Sequence, residues 1–358
     1  MNTVPEERAQ RASRRVLLTG AGGFIGAEIG RQLTARGDEV VGVDAFIPEA
    51  HAPGAAVEGV HRLDLRDARE WADLLDGVDA VCHQAAMVGA GVTVADMPLY
   101  AAHNDLGTTV LLAAMADRGV DALVFASSMV VYGEGRYSCE EHGRQPALPR
   151  SRASLDAGDF ENHCPMCDRA MGWELVPEDA RLDPRSSYAA SKVAQEHYTA
   201  AWVRQAGARA IGLRYHNAYG PGMPRDTPYS GVAAIFRSAL EAGRAPQVFE
   251  DGGQMRDFVH VSDVARANVL SLDAVVGHEP ESYASYNVCS GTPVPILRVA
   301  EILAQAADGP PPEVTGDYRA GDVRHIVASP DLAATALGFS AAVTPDQGIA
   351  EFASAPLR

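Results

Sequence analysis

The sequence predicts a doubly wound α/β fold, in which helices cover both faces of a parallel sheet. Short apolar runs alternate with helical patterns through the first third of the chain, an order that is typical of parallel sheets. A glycine-rich turn also follows the first of these runs. With 358 residues, of which 47% are hydrophobic, the chain can form one large or two ordinary domains.

The first apolar run, Arg15–Thr19, ends in the glycine-rich turn, and a helical pattern then continues through Leu33. Glycines at three turn positions permit close backbone approach, so the amides at the start of the helix can bind a pyrophosphate. Strand, turn and helix in this order predict a Rossmann-like dinucleotide site. The candidate cofactor-binding residues are Gly20, Gly23, Phe24, Ile25 and Gly26.

A second strand over residues 39–43 leads directly to Asp44. A carboxylate at this place can accept hydrogen bonds from both adenosine ribose hydroxyls and would repel a 2′-phosphate, so Asp44 favours NAD over NADP. The alternative is that Asp44 merely begins a loop. Further along, Asp64 would either accept from the adenine amino group or cap the helical stretch near 68–75.

The next strand, 79–83, runs into Ala85, and a helical segment of about 100–118 leads to a strand over 122–126. That strand ends in Ser127 and Ser128. Ligands of doubly wound sheets bind beyond the carboxyl ends of the strands, so both hydroxyls are candidates for a site. Alternatively, they satisfy local backbone groups.

Lys192 is the only lysine in the chain, and it follows Tyr188 by four residues. On a helix these two side chains share one face. A nearby ammonium favours phenolate, so we expect it to lower the pKa of Tyr188 toward neutrality and make the phenol a general acid and base. The alternative is an exposed helical pair. Because arginine has a broad planar fork, we expect Lys192→Arg to lose most activity and leave the fold intact.

The net charge of −17 argues against nucleic acid or an anionic membrane as a partner, whereas a small phosphorylated ligand remains compatible. Residues 1–14 are polar and are expected to form a disordered leader rather than a signal peptide. No apolar run reaches membrane-spanning length. Five cysteines without a secretion signal fit a reducing compartment. We therefore expect a soluble cytoplasmic protein.

These motifs resemble the extended short-chain dehydrogenase/reductase family, in its branch of NAD-dependent nucleotide-sugar epimerases and dehydratases. The resemblance covers residues 15 to 339 approximately. Its motifs are, in order, TGAGGFIG (19–26), DLRD (64–67), HQAA (83–86), HNDLGT (103–108), SSMVVYG (127–133), YAASK (188–192), LRYHNAYGPG (213–222), RDFVHVSDVA (256–265) and YRAGDVRH (318–325).

The resemblance implies that Tyr188 is the acid and base, that Lys192 is its charge partner and ribose anchor, and that Ser128 orients the substrate hydroxyl. Ser128 is preferred to Ser127 because it stands four residues before Tyr132. The remaining cofactor-binding positions implied are Asp64, Leu65, Ala85, Asn104 and Tyr215. The implied nucleotide-sugar positions are Asn217, Val232, Phe249, Arg256, Arg319 and Asp322, where arginine suits the diphosphate.

The residues after Ser128 discriminate between reactions within the family. Dehydratases carry Asp and Glu there and decarboxylases carry Glu, whereas this chain has Met129 and Val130, which cannot move a proton. The resemblance therefore implies 4-epimerisation through a transient 4-keto sugar, on a dTDP- or UDP-(deoxy)hexose. The rival functions are an NDP-sugar dehydrogenase, reductase or dehydratase of the same family and, from another class, a non-catalytic NAD-binding regulator. A further departure is His216, where many relatives have Phe; it would alter packing or contact the substrate.

Between Tyr132 and Tyr188 the chain has an insertion with the pattern CxxH and, 21 residues later, CxxC. Cys139, His142, Cys164 and Cys167 suit a closed tetrahedral site for structural zinc. An insertion without metal is the alternative, and neighbouring His163 could compete with His142. The cysteine-rich insertion makes the chain similar to deoxysugar 4-epimerases of the dTDP-L-rhamnose 4-epimerase type. Cys82 and Cys289 are expected to be small core residues.

The predicted domain organisation follows from these motifs. Residues 15–134 and 184–216 form the NAD-binding domain, to which 257–285 return, and 135–183 form the insertion. Residues 217–256 and 286–358 form a smaller α/β domain that binds the nucleotide sugar. The family resemblance also implies a homodimer, paired through the apolar helices near 100–118 and 188–206.

Overall fold

The computed structural model describes residues 13–48, 51, 54–89, 93–225 and 231–358, so residues 1–12 of the predicted leader lie outside it. The strands are β1 (Arg15–Thr19), β2 (Glu39–Asp44), β3 (Val60–Arg62), β4 (Ala80–His83), β5 (Ala122–Ser128), β6 (Arg136–Cys139), β7 (Gly143–Gln145), β8 (Gly172–Glu174), β9 (Arg209–Tyr215), β10 (Asn217–Tyr219), β11 (Gln247–Val248), β12 (Met255–Arg256), β13 (Phe258–His260), β14 (Ser282–Val288), β15 (Val294–Pro295) and β16 (Glu313–Val314).

The helices of the described residues are α1 (Phe24–Ala35), α2 (Met97–Tyr100), α3 (Gly107–Arg118), α4 (Arg152–Asp156), α5 (Ser187–Ala206), α6 (Val232–Glu241), α7 (Val261–Val275), α8 (Ile296–Ala306), α9 (Asp331–Leu337) and α10 (Pro345–Phe352). A π-helical turn, Ala101–Leu106, joins α2 to α3. None of the described helices is long and apolar enough to cross a membrane.

A seven-stranded parallel sheet forms the centre of the molecule, in the order β14-β9-β5-β4-β1-β2-β3. Both of its faces are buried, which explains why its strands are runs of apolar residues rather than alternating ones. Along β1, Val16 and Leu18 belong to the core on one face and Leu17 to the core on the other. The predicted doubly wound α/β fold is confirmed.

The sheet reverses its strand order at β1, which pairs with β2 on one side and β4 on the other. Such a switch point opens a crevice at the carboxyl ends of the strands, where ligands of this fold bind. Residues after β13 return to this unit, since α7 packs on α1 and β14 completes the sheet edge. A separate core forms around α6, α8 and α10.

The insertion carries its own antiparallel sheet, β7-β6-β8, over a small core that contains two of its cysteines. It is attached to the C-terminal part of the chain by several contacts. Tyr137 Oη accepts a hydrogen bond from the His325 amide at 3.0 Å, and Arg150 donates to the Asp322 carbonyl at 2.7 Å. The insertion is therefore packed against the segment 318–325, which carries the predicted diphosphate residues.

Candidate active site

The glycine turn lies between β1 and α1, and two of its glycines are required by close approach. A Cβ at Gly20 would lie 2.7 Å from the Ala85 amide nitrogen, and one at Gly26 would lie 2.0 Å from the Gly20 carbonyl oxygen. Gly20 also has a φ of 68°, which glycine adopts without strain. The N-terminus of α1 can therefore pack directly against the turn and present its amides to an anion.

Asp44 is the last residue of β2, and its carboxylate faces the glycine turn. One oxygen accepts from the Gly22 amide at 3.0 Å, the other accepts from the Phe46 amide at 2.7 Å, and His51 Nε2 lies 3.4 Å away. Burial acts to raise the pKa of Asp44, but hydrogen bonds from His51, Phe46 and Gly22 outweigh it and leave that pKa below its usual value. The carboxylate is thus ionised, as ribose recognition and 2′-phosphate repulsion require.

A cavity of about 870 Å³ runs from Asp44 along the carboxyl ends of the strands to Tyr188. Its walls include most of the residues predicted to bind cofactor and substrate. These are Gly20, Gly23, Phe24, Ile25, Gly26, Asp44, Asp64, Leu65, Ala85, Ser128, Tyr188, Lys192, Tyr215, Asn217 and Val232. This volume suits an extended ligand with two ends, such as a dinucleotide beside a second small molecule.

Tyr188 and Lys192 lie one turn apart at the start of α5, which Ser186 caps by accepting from the Ala189 amide. Ser128, the last residue of β5, is hydrogen-bonded to the Tyr188 phenol. Lys192 Nζ donates to the Ala126 carbonyl at 2.9 Å and lies 5.8 Å from the Tyr188 ring centroid. The structure therefore brings the predicted serine, tyrosine and lysine together at one end of the cavity.

The surroundings of Tyr188 do not give the acidic phenol that the sequence led us to expect. Burial raises the pKa of Tyr188 to about 12 despite its Ser128 hydrogen bond, and burial lowers the pKa of Lys192 to about 7 despite Glu196 and Asp105. Desolvation disfavours the charged form of each group and is the largest effect on both pKa values. Proximity to lysine alone therefore does not prepare phenolate.

A buried network behind these groups was missed in the sequence. Glu196, one turn after Lys192, pairs with Arg214 at 2.7 Å and accepts from Ser127 Oγ at 2.6 Å. Arg214 also donates to the Tyr132 hydroxyl at 2.8 Å. Ser127 therefore has a structural role, as the donor to Glu196. The ion pair between Glu196 and Arg214 connects α5 to the end of β9. The four-residue spacing from Lys192 to Glu196 was the available signal.

Asn104 does not reach the cavity wall, contrary to the expected cofactor contact. Its side chain is buried, accepts from the Met87 amide at 2.7 Å, and donates to the Met87 carbonyl and to Ser191 Oγ. These partners use its amide fully. Asn104 therefore positions the segment after β4 against α5, and Met87 instead lines the cavity.

The four predicted residues Phe249, Arg256, Arg319 and Asp322 form a cluster of their own that is not on the cavity wall. The Arg319 guanidinium lies 5.1 Å above the Phe249 ring. Arg256 donates to the Arg324 carbonyl at 2.9 Å and to the Val323 carbonyl at 2.5 Å, so its terminal nitrogens are already engaged. The sequence predicted that these residues lie in one site. It did not show that the Arg256 guanidinium donates its hydrogen bonds to backbone carbonyls.

The four predicted metal ligands lie together in the insertion, with all ligand atoms within 4.8 Å of one another. Cys139 Sγ lies 3.6 Å from His142 Nδ1 and 3.7 Å from Cys167 Sγ. His163 does not compete, because its ring nitrogens face Asp159 and Asp168. Asp168, the residue after the second pair, has a left-handed backbone conformation with a φ of 59°.

The model of the NAD dependent epimerase/dehydratase family matches residues 16–152 and 172–289 of this chain. The unmatched residues 153–171 fall within the insertion and contain Cys164 and Cys167.

Among curated proteins, the chain is 32% identical to dTDP-L-rhamnose 4-epimerase of Burkholderia thailandensis, over 94% of this chain and 93% of that protein. It is 30% identical to UDP-glucose 4-epimerase of Mycolicibacterium smegmatis, over 94% of this chain and 96% of that protein. Both similarities extend through nearly the whole of each chain.

Solved structures agree with these similarities. The UDP-glucose 4-epimerase of Thermus thermophilus, in complex with NAD, is 32% identical, has a TM-score of 0.73 and covers 95% of this chain and 97% of its own. MoeE5 in complex with UDP-glucuronic acid and NAD is 27% identical and has a TM-score of 0.74. The match covers 95% of this chain and 98% of that chain.

Proposed function

The chain belongs to the NAD-dependent epimerase/dehydratase family, and from this premise we propose that it is an NAD-dependent nucleotide-sugar 4-epimerase. The observation that supports epimerisation is the environment of Ser128. Met129 and Val130 follow it on the cavity wall, so no acid stands where an elimination would need one. The nucleotide-sugar 4-epimerases among the relatives support a dTDP- or UDP-hexose as substrate.

The residues of the cavity account for each proton movement in this reaction. Ser128 would orient the C4 hydroxyl of the sugar, and Tyr188 would accept its proton in the phenolate form. NAD, when bound, would supply the hydride acceptor and donor, and its positively charged oxidised ring would favour that phenolate. After the 4-keto sugar has turned over in the cavity, Tyr188 would return the proton to the C4 oxygen. The net result is inverted configuration at C4, with no change in the redox state of the sugar or the cofactor.

The cofactor proposal rests on Asp44 and on the glycine turn, whose close backbone packing leaves no room for a Cβ at Gly20 or Gly26. The ionised Asp44 favours NAD. Because each turnover restores the cofactor, NAD should stay bound through purification. Lys192 would hold the nicotinamide ribose with the donors that Ala126 leaves free.

The purified protein should be incubated with a panel of dTDP-, UDP- and GDP-hexoses, with product stereochemistry read by NMR and NADH followed by absorbance. We expect one C4-inverted product and no accumulation of NADH. Steady NADH formation would instead identify a dehydrogenase. If none of the sugars in the panel is turned over, the result would favour a non-catalytic NAD-binding protein.

We also propose that the insertion folds around a structural zinc ion. A zinc–sulfur distance of about 2.3 Å places tetrahedral sulfur ligands roughly 3.8 Å apart, close to the observed 3.7 Å between Cys139 and Cys167. Backbone amides of His142 and Glu141 lower the pKa of Cys139 to about 6, which favours the thiolate that binds metal. The described cysteines form no disulfide, and we therefore place the enzyme in the cytoplasm.

Replacing Cys164 with serine should reduce bound zinc from about one ion per chain to a small fraction, measured by atomic emission. Because the insertion packs on the segment 318–325, UDP or dTDP affinity should fall while NAD affinity stays unchanged, as calorimetry would show. Cys289→Ser is the matched control, since that buried thiol lies outside the cluster. Wild-type protein that contains no zinc would refute the proposal.

We further propose a homodimer that pairs through α3, α5 and the turn before α3. Leu106 on this turn and Tyr198 on α5 are large apolar side chains that are 49% and 47% exposed. Light scattering should give the mass of two chains, and Leu106→Arg with Tyr198→Arg should give one. A monomeric wild-type protein would contradict this arrangement.

A further inference from the structure

We propose that His216 is a specificity-determining residue that hydrogen-bonds a hydroxyl of the sugar other than the C4 hydroxyl. This inference rests on the proposed epimerase function. His216 directly follows β9, and its amide donates to the Val288 carbonyl at 3.0 Å. Since Tyr215 pairs with Ser128 across the sheet, the imidazole stands next to the strand end that carries the catalytic hydroxyls.

The His216 side chain is only 3% exposed, yet it lines the cavity. Within the part of the chain that the structure describes, neither ring nitrogen has a hydrogen-bond partner. Leaving a buried polar group unpaired is unfavourable, so a histidine in this position lowers stability in a way that phenylalanine would avoid. A ligand in the cavity is the partner that offsets this cost.

The protonation state of His216 defines the chemistry of that ligand group. Burial, with a smaller effect from Arg256, lowers the pKa of His216 to about 3. The neutral ring offers one N–H donor and one acceptor nitrogen. A hydroxyl can take either role, since it donates to the bare nitrogen or accepts from the N–H. The neutral ring is therefore suited to a hydroxyl of the sugar.

The neighbours of His216 indicate which part of the substrate it meets. Tyr188 and Ser128, on the same cavity wall, act on C4. On the other side, the next residue is Asn217, whose buried Oδ1 also lacks a partner among the described residues, and Arg256 is near enough to influence the imidazole. His216 thus lies beside the groups proposed to act on C4, where the sugar ring would lie.

The test compares nucleotide sugar with free nucleotide in calorimetry on NAD-loaded wild type, His216→Phe and His216→Gln. The probes are UDP-glucose with UDP, and dTDP-glucose with dTDP. Loss of the sugar contact in His216→Phe should weaken nucleotide-sugar binding about tenfold while free-nucleotide binding changes little. His216→Gln, which keeps a donor and an acceptor, should recover part of the loss. The thermal midpoint of His216→Phe should be equal to or above that of wild type.

Each outcome separates this inference from the proposed function. If wild type turns over a hexose but His216→Phe loses equal affinity for nucleotide and nucleotide sugar, or none, then His216 only packs and the inference fails. If wild type binds none of the four probes, the proposed function fails and the inference fails with it. A lower midpoint for His216→Phe would show that the ring has a structural partner.

Discussion

Tyr188→Phe is expected to lower kcat about a thousandfold, because it removes the group that we propose takes and returns the C4 hydroxyl proton. The substitution leaves the ring in place and deletes only the hydroxyl bonded to Ser128. NAD affinity and the thermal midpoint should therefore change little. Product formation by NMR and retained NAD after purification are the two measurements.

Tyr198→Phe is the matched control, since it deletes a hydroxyl from an exposed tyrosine on the same helix. It should keep wild-type turnover. A Tyr188→Phe variant with more than a tenth of the wild-type kcat would show that another group moves the proton. The identity of the general acid and base would then have to be reassigned.

Lys192→Met is expected to abolish turnover and to stabilise the cofactor-free fold at neutral pH. Lys192 is 2% exposed, and its hydrogen bond is to the Ala126 carbonyl. Burial lowers its pKa from 10.5 to about 7, so keeping the ammonium in the fold costs free energy. Methionine fills the same space without this cost, while Glu196 keeps Arg214 as its partner.

The sign of the pH dependence follows from proton counts. Between pH 7 and 10.5 the unfolded chain holds the Lys192 proton and the folded chain has released it, so stability rises with pH. Lys192→Met has no such proton to release, so its free energy of unfolding does not show this rise with pH. Its advantage over wild type should therefore be greatest near pH 7 and shrink toward pH 10.5. Denaturant titrations at several pH values measure it, and a constant difference would contradict the buried-lysine argument.

Lys192→Arg tests the same site with a charge that the protein cannot release. Because the surroundings are buried and the described partner is a single carbonyl, we now expect this variant to lose stability as well as activity. This differs from the expectation, based on the sequence, that the fold would stay intact. Near neutral pH, Lys192→Met should be the most stable protein, wild type should be intermediate, and Lys192→Arg should be the least stable.

The alternation of apolar runs and helical patterns was enough to predict the doubly wound sheet, because each parallel strand is buried on both faces and reads as a continuous apolar segment. Local spacing was equally informative for the glycine turn and for the pairing of Tyr188 with Lys192. In both cases the residues are close along the chain, so the geometry of a turn or a helix is enough to predict that they are close in space.

Residues distant in sequence were harder to place. The partners of Asn104 and Arg256 are backbone groups of other segments, and a motif does not show which way such a side chain turns. Glu196 was overlooked because its partner Arg214 is brought to it only by the strand that follows α5.

The sequence by itself determined the family, the sheet, the order of the candidate catalytic residues and the four candidate zinc ligands, since these depend on local periodicity and spacing. Only the tertiary structure decided the protonation of Tyr188 and Lys192 and the unpartnered state of His216 among the described residues. The physical reason is desolvation. The energy of a charge or a polar atom depends on everything packed around it, and that surrounding comes from the whole chain.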